Sequence, residues 1–415
     1  GRQYYDLRQF CCRGRCVKDV FVYDAIRSPR AKAKESGGLH DLLPHELLKS
    51  LYASLVERTG LDPAMVGDVL LGCVTQHGEQ AANIAKTSVM FAGWPSSVGG
   101  LTVNRFCSSS IDAISIGALK IAAGQENAIV AGGIEMMSRV PILSDQAKAF
   151  IDPAFAAQCQ MLMMGSGADL IATLNAVTRE QADAIAVQSQ QRAAHAREQG
   201  YFKSIVPIYN PVKGITVSED ECIRGNATIE ALAELPPAFA GIGSKGVDAL
   251  QLASNPGITV IEHVHTAGNS PAMADAASLL LLGDKSVGEK LGIVPRAKIV
   301  ATATANADPL QVLTGCVSAT EKLMNQQNLS ADEVDLFELH EAFAATVVKC
   351  QKDLGISDSK LNVNGGVIAL GHPMGATGAI MAGVLLDELE RRDLFRGIVA
   401  ASGAAGAGSA LLIER

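Results

Sequence analysis

Short apolar runs alternate with amphipathic stretches along most of this chain. Phe21-Val22-Tyr23, Val69-Leu70-Leu71-Gly72, residues 128–133 and Ile299-Val300-Ala301-Thr302 are short and almost uniformly apolar. Runs of that length and character read as strands buried on both faces. Helical patterns lie between them, as over residues 44–58 and in the apolar-striped stretch that starts near Ile111. This alternation predicts an α/β architecture. An internal echo adds detail. A loop at Cys107 leads through a helix to a glycine-ended strand over 128–135, and a loop at His372 leads through a helix over 376–391 to a glycine-ended strand over 397–406. Two similar halves of this kind can bring their loops to a shared cleft, where Cys107 and His372 would meet.

From about 141 to 262 the pattern changes to methionine-rich, charged and irregular segments with one clear helix. Thr178-Arg179-Glu180-Gln181 opens that helix with a capping-box arrangement, and it continues through Ala194. The run Met161-Leu162-Met163-Met164 within this region reads, on spacing alone, as core packing.

At 415 residues the chain exceeds one ordinary domain, and 48% hydrophobic with 19% charged residues is normal for a water-soluble enzyme. A formal charge of −8 argues against nucleic acid as a partner, since phosphate backbones require a basic surface, while a local basic patch for a small anionic ligand stays open. No run approaches eighteen uninterrupted apolar residues, so no membrane span is expected. Nine scattered cysteines do not form a secreted disulfide framework and point to a reducing compartment, the cytoplasm or, in a eukaryote, the mitochondrial matrix. Cys11, Cys12 and Cys16 lack a fourth ligand and lie among Arg8, Arg13, Arg15 and Lys18, which would repel a cation, so no metal site is expected. Residues 1–18 read as an N-terminal extension or part of a transit peptide, being Arg-rich and acid-poor. The terminal Ile-Glu-Arg is not a peroxisomal address. No glycine-rich dinucleotide fingerprint appears, and no nicotinamide cofactor is expected.

The candidate chemistry centres on Val103-Asn104-Arg105-Phe106-Cys107-Ser108-Ser109-Ser110. A thiol is a good nucleophile only as thiolate, and a place at a helix N-terminus is expected to lower the pKa of Cys107. Taken alone, the residue reads more readily as a buried structural cysteine, the commoner fate of a lone Cys. Further motifs follow in order: residues 131–141 (AGGIEMMSRVP), 265–269 (HTAGN), 340–344 (HEAFA) and 364–378 (NGGVIALGHPMGATG). With the Cys107 segment they resemble the thiolase family over about residues 20 to 415.

That resemblance implies a thiolase-like α/β fold, with two similar halves in a five-layered αβαβα arrangement and an inserted loop domain. It places the first half at 19–140, completed by 263–292, the loop domain at 141–262 over the ligand, and the second half at 293–415. It implies an acyltransferase in which Cys107 accepts the acyl group and His372 takes its proton. His340 stands where many thiolases carry Asn, and by resemblance it orients a water or donates to the thioester oxygen. Together with His372 and the backbone N–H groups of Cys107 and Ala404 it would line the oxyanion holes. Ser402 stands where typical thiolases place a second catalytic cysteine, and a hydroxyl is far less acidic than a thiol, so α-carbon proton transfer would need help from a histidine. Met164 is implied as pocket-lining, and Arg224, Asn269 and Ser270 as contacts to coenzyme A; the serine that commonly holds pantetheine falls at Pro271. Coenzyme A is then substrate and product, with no permanently bound cofactor, and the partners are acyl-CoA and CoA. A homodimer or homotetramer, and association with other fatty-acid oxidation enzymes, are also implied. Two other readings stay open: a catalytically weak CoA-binding protein, suggested by Ser402, and a decarboxylating ketoacyl synthase, suggested by the two histidines.

Overall fold

The computed structural model describes residues 17–415; the extension over 1–16, with Cys11, Cys12 and Cys16, lies outside the described residues. The strands are β1 (Val20–Arg27), β2 (Ala31–Lys32), β3 (Asp68–Gly72), β4 (Gly99–Val103), β5 (Ala128–Met136), β6 (Ile208–Asn210), β7 (Ile215–Val217), β8 (Ala274–Gly283), β9 (Ala297–Asn306), β10 (Leu336–Leu339), β11 (Arg396–Ser402) and β12 (Ala407–Glu414). All but β6 and β7 form one mixed sheet in the order β10-β11-β12-β9-β1-β8-β5-β3-β4, with β2 beside β8. β3 runs parallel to β4 and β5, and β10 parallel to β11, whereas β8 and β12 pair antiparallel with their neighbours. The short antiparallel β1–β9 ladder, Val20↔Ile299 to Val22↔Ala297, joins the two halves.

The main helices are α1 (Pro44–Thr59), α2 (Ile84–Phe91), α3 (Ser109–Ala122), α4 (Met164–Leu174), α5 (Arg179–Gln199), α6 (Gly315–Gln326), α7 (Ala344–Leu354) and α8 (Thr377–Arg391). Their apolar faces sort into layers. Leu47, Leu51 and Leu55 of α1 and Ile84 of α2 cover one outer face of the first half, against Val69, Val130 and Leu281. Cys316 and Leu323 of α6 and Val347 of α7 cover the outer face of the second half, against Ile398 and Leu412. Between the two sheet halves, Ile111 and Ile114 of α3 meet Leu385 and Leu389 of α8, with Leu280 on one side and Val399 and Leu411 on the other. The result is five layers, α, β, α, β, α. β5 and β8 are buried along their whole lengths, which is why their sequences carry no polar alternation.

Residues 141–262 contain two substantial helices rather than one. α5 has the expected reciprocal capping box between Thr178 and Gln181. α4 begins at Met164, inside the methionine run, and buries residues 165–172. Asp169 of α4 accepts from His263 Nδ1 at 2.7 Å and pairs with His265 Nδ1 at 2.7 Å, and the His265 ring accepts from the Ala345 N–H at 3.2 Å. This network ties the region to the start of α7, directly after the HEAF segment.

Candidate active site

Two glycines bring the two halves of the echo together. A Cβ at Gly72, the end of β3, would stand 2.5 Å from the Ser110 amide nitrogen and 2.8 Å from the Gly375 carbonyl oxygen; one at Gly133 would stand 2.4 Å from the same oxygen and 2.7 Å from the Ala376 Cα. Only glycine leaves room for the start of α3 and the loop before α8 to approach the same sheet positions. Glu135 then clamps the loops. Its carboxylate accepts the Val74 N–H at 2.9 Å, the Thr75 N–H at 3.2 Å, the Gln80 Nε2 at 2.8 Å and, from the other half, the Gly375 N–H at 3.0 Å.

Cys107 leaves β4 through a sharp bend. Phe106 has φ of +51°, and the bend is held by the Asn104 side chain accepting the Phe106 N–H at 2.8 Å and Ser109 Oγ accepting the Arg105 N–H at 2.8 Å. The thiol is buried one residue ahead of the N-cap of α3. Its pKa runs against the expectation from helix position: burial, reinforced by the Glu135 carboxylate, pushes it up to about 12. Loss of solvation outweighs the partial charge of the helix end, so the resting thiol is neutral.

The base is ready for it. Burial, then His340 and Arg30, hold the His372 pKa well below the ordinary value, so its ring is neutral. Its Nδ1 lies 2.6 Å from Thr377 Oγ1, and the tautomer that donates there leaves the Nε2 lone pair free. Gly371, at φ of +96°, makes the turn that presents it. His340, at the carboxyl end of β10, is 2% exposed and lies with its ring centroid 4.6 Å from that of His372. Burial lowers its pKa to about 4. The Ser402 backbone opposes that shift but makes no hydrogen bond of normal geometry, and both ring nitrogens of His340 are unpartnered among the described residues. Such buried nitrogens are open to a substrate oxygen or a water.

Cys107, His340, His372 and Met164 line one cavity with Phe343 and Met374, so these four expected residues converge. A second cavity, which also reaches Cys107, is lined by Met164 and by Ala404. Ala404 opens a three-residue 3-10 turn and so has a backbone N–H without a partner inside that turn. Arg224 and Ser270 line a third cavity that shares Ala272 and Met273 with the first, and Ser270 Oγ has no partner. Lys32 and Lys34 also line it. Sequence reasoning missed both lysines; the signal was the basic stretch from Arg27 to Lys34 in an acidic chain, of which Arg27 and Arg30 are consumed by the buried Asp220.

Two expected residues stand elsewhere. Ser402 lines none of these three cavities. Its hydroxyl donates to the Leu313 carbonyl at 2.8 Å and accepts the Cys316 N–H at 2.9 Å, so it caps the first turn of α6, whose own N-cap Thr314 makes no side-chain bond. Asn269 is fully buried: its Nδ2 donates to Asp183 at 3.0 Å and to the Val264 carbonyl at 3.1 Å, and its Oδ1 accepts the Thr266 N–H at 2.8 Å. It shapes the turn that precedes Ser270 and lines none of the three cavities. Among the described residues no cluster of His, Cys, Asp and Glu could hold a metal ion, and no helix is long and apolar enough to cross a membrane.

The two echoing α/β halves thus set a buried thiol and a neutral histidine on one cavity, which adjoins a cation-lined one. Residues 20–254 match the family description "Thiolase, N-terminal domain" and residues 293–415 match "Thiolase, C-terminal domain". The chain is 36% identical to a beta-ketoadipyl-CoA thiolase of Pseudomonas aeruginosa over 96% of its own length and 99% of that protein, and 37% identical to a 3-ketoacyl-CoA thiolase of Shewanella frigidimarina over 96% and 100%. Its fold overlays the crystal structure of the Bacillus anthracis acetyl-CoA acetyltransferase with a TM-score of 0.83 at 32% identity, covering 97% of this chain and all of that one. The chain belongs to the thiolase family and is an acyl-CoA acyltransferase of that type.

Proposed function

We propose that the chain cleaves a 3-ketoacyl-CoA with CoA and runs the reverse Claisen condensation, through an acyl group carried on Cys107. The observation that carries this reading is the convergence of Cys107, His372 and His340 on one cavity. CoA enters past Lys32, Lys34 and Arg224, cations suited to its phosphates, with Ser270 Oγ free for the pantetheine arm. His372 takes the Cys107 proton, and the thiolate attacks the C3 carbonyl of the substrate. The Cys107 and Ala404 amides receive the developing oxyanion. The C2–C3 bond breaks, the electron pair goes to C2 as the enolate of acetyl-CoA, and the His340 ring donates to its thioester oxygen. Protonated His372 returns its proton to C2. The thiol of an incoming CoA then gives its proton to His372 and attacks the acyl group, and Cys107 leaves as a thiol. In this scheme Ser402, at the end of β11, carries no proton, and its hydroxyl serves to cap α6.

Intact-mass measurement after acetyl-CoA treatment tests the scheme: one acetyl group on the wild type and none on Cys107→Ala is expected, with acetoacetyl-CoA consumed only when CoA is present. Acetylation of the variant at the wild-type rate would remove Cys107 as the acyl carrier, and carbon dioxide release from malonyl-CoA would favour a decarboxylating synthase. For the assembly, we infer that two copies pair through β4. It is an edge strand of the sheet, its Leu101 is exposed, and Met90 and Phe91 of the neighbouring α2 add exposed apolar surface.

A further inference from the structure

Cys107 lines two cavities. The first holds the two histidines and opens, across Ala272 and Met273, into the basic cavity at Lys32, Lys34 and Arg224. The second also reaches Cys107 but includes neither histidine and no residue of the basic cavity, and its walls are mainly apolar: Val74, Phe106, Ile142, Leu143, Phe150 and Met374. Ile142, Met164 and Met374 line both cavities, as Cys107 does. The bend at Phe106 that positions Cys107 also turns the Phe106 ring into this second space, where it meets Phe150 edge-on with centroids 6.3 Å apart.

Charge separates the two sides. No Lys, Arg or His lines the second cavity among the described residues, and Asp145, an exposed residue, is its one charged lining group. The nearest cations along the chain are engaged elsewhere: Arg105 with Asp112 at 2.7 Å, Arg139 with Glu79 at 2.6 Å, and Lys148 with Asp152 at 3.9 Å and over the Phe155 ring at 5.3 Å. A 3-ketoacyl group whose C3 carbonyl lies at Cys107, with its thioester in the cavity of the two histidines, has the second cavity open to C4 and everything beyond it. A carboxylate at the end of that chain would lose its water in an apolar space, meet no cation and face Asp145.

We infer, resting on the thiolase reading above, that the second cavity receives the acyl chain, and that it selects an uncharged linear chain longer than that of acetoacetyl-CoA and rejects one ending in a carboxylate. The test compares kcat/KM for thiolysis of acetoacetyl-CoA, 3-ketohexanoyl-CoA, 3-keto-octanoyl-CoA and the 3-ketoadipyl thioester, which matches the hexanoyl chain but ends in a carboxylate. Each methylene removed from water is worth roughly threefold, so 3-keto-octanoyl-CoA is expected to exceed acetoacetyl-CoA by about tenfold or more. The 3-ketoadipyl thioester should fall at least about tenfold below 3-ketohexanoyl-CoA, and Asp145→Lys should shift that ratio several-fold toward the carboxylate. Equal turnover of the adipyl and hexanoyl substrates, an unmoved ratio in Asp145→Lys, or a preference for acetoacetyl-CoA would overturn the inference while leaving the thiolase reading standing. Failure of all four substrates, together with no acetylation of Cys107, would instead overturn the reading beneath it.

Discussion

With its pKa pushed up to about 12 by burial and the Glu135 carboxylate, Cys107 carries almost no thiolate at neutral pH and depends on a base. His372 can serve because burial and its neighbours keep it neutral. The alkylation rate of Cys107 with iodoacetamide should therefore rise with pH across 6 to 10 as the thiolate fraction grows. His372→Asn should be about tenfold or more slower at pH 7, with the difference narrowing as hydroxide replaces the base. Superimposable profiles would take His372 out of that role. A second experiment separates His340 from Ser402. Ser402→Ala should keep both Cys107 acetylation and exchange of the acetyl-CoA methyl protons into deuterated water, but lose about 1–3 kcal/mol of stability, because the Leu313 carbonyl and Cys316 amide lose their partner. His340→Ala should keep acetylation and lose exchange by about a hundredfold, since the enolate then lacks its donor. The opposite pattern would return the α-carbon role to position 402. Side-chain direction was the part of the site illegible in the sequence: Ser402 and Asn269 occupy positions that motifs mark as functional, yet each satisfies backbone or buried polar groups whose positions depend on distant elements.

Among the elements, β5 was legible because burial on both faces leaves its first seven residues, 128–134, uniformly apolar, whereas the equally buried β8, which carries Asp275 and Ser278, was not read as a strand. The helix after Cys107 and that after His372 were legible from their apolar stripes, and the structure sets them side by side as α3 and α8. The glycines that end β3 and β5 mark where these helix starts converge, and that convergence can be tested. Gly133→Ala would place a methyl group 2.4 Å from the Gly375 carbonyl oxygen and force the His372 loop away from Cys107. Overpacking of this kind costs about 1–3 kcal/mol, which a chain of this size survives. A displacement of about 1 Å between reacting groups costs about a hundredfold in rate, so thiolysis should fall far more than the melting temperature. Retained thiolysis would mean that the loops do not rely on this contact. α4 was not legible: the run at 161–164 reads as core filler, whereas Met163 and Met164 line the cavity at Cys107 from the start of that helix.

At the scale of the whole molecule, the sheet has two edges of different character. β10 is buried throughout and bridged by Leu361, while β4 presents Leu101 to solvent just ahead of the Cys107 bend. If copies pair through β4, light scattering should report a dimer or a larger even assembly, and Leu101→Asp should shift it toward monomer, since like charges brought together across a strand pair repel. A monomer at micromolar concentration in the wild type would rule this pairing out. The sequence by itself determined the alternation of strand and helix, the two-fold echo and the family, and it marked Cys107 and His372 as candidates, because each rests on local pattern or on a contiguous string of residues. Only the tertiary structure decided that the thiol is neutral, that His340 lines the cavity without a hydrogen-bond partner of normal geometry, that Lys32 and Lys34 join Arg224, and that a second, mainly apolar cavity reaches Cys107. Desolvation, side-chain direction and the shape of empty space are sums over residues far apart in the chain, and no local pattern encodes them.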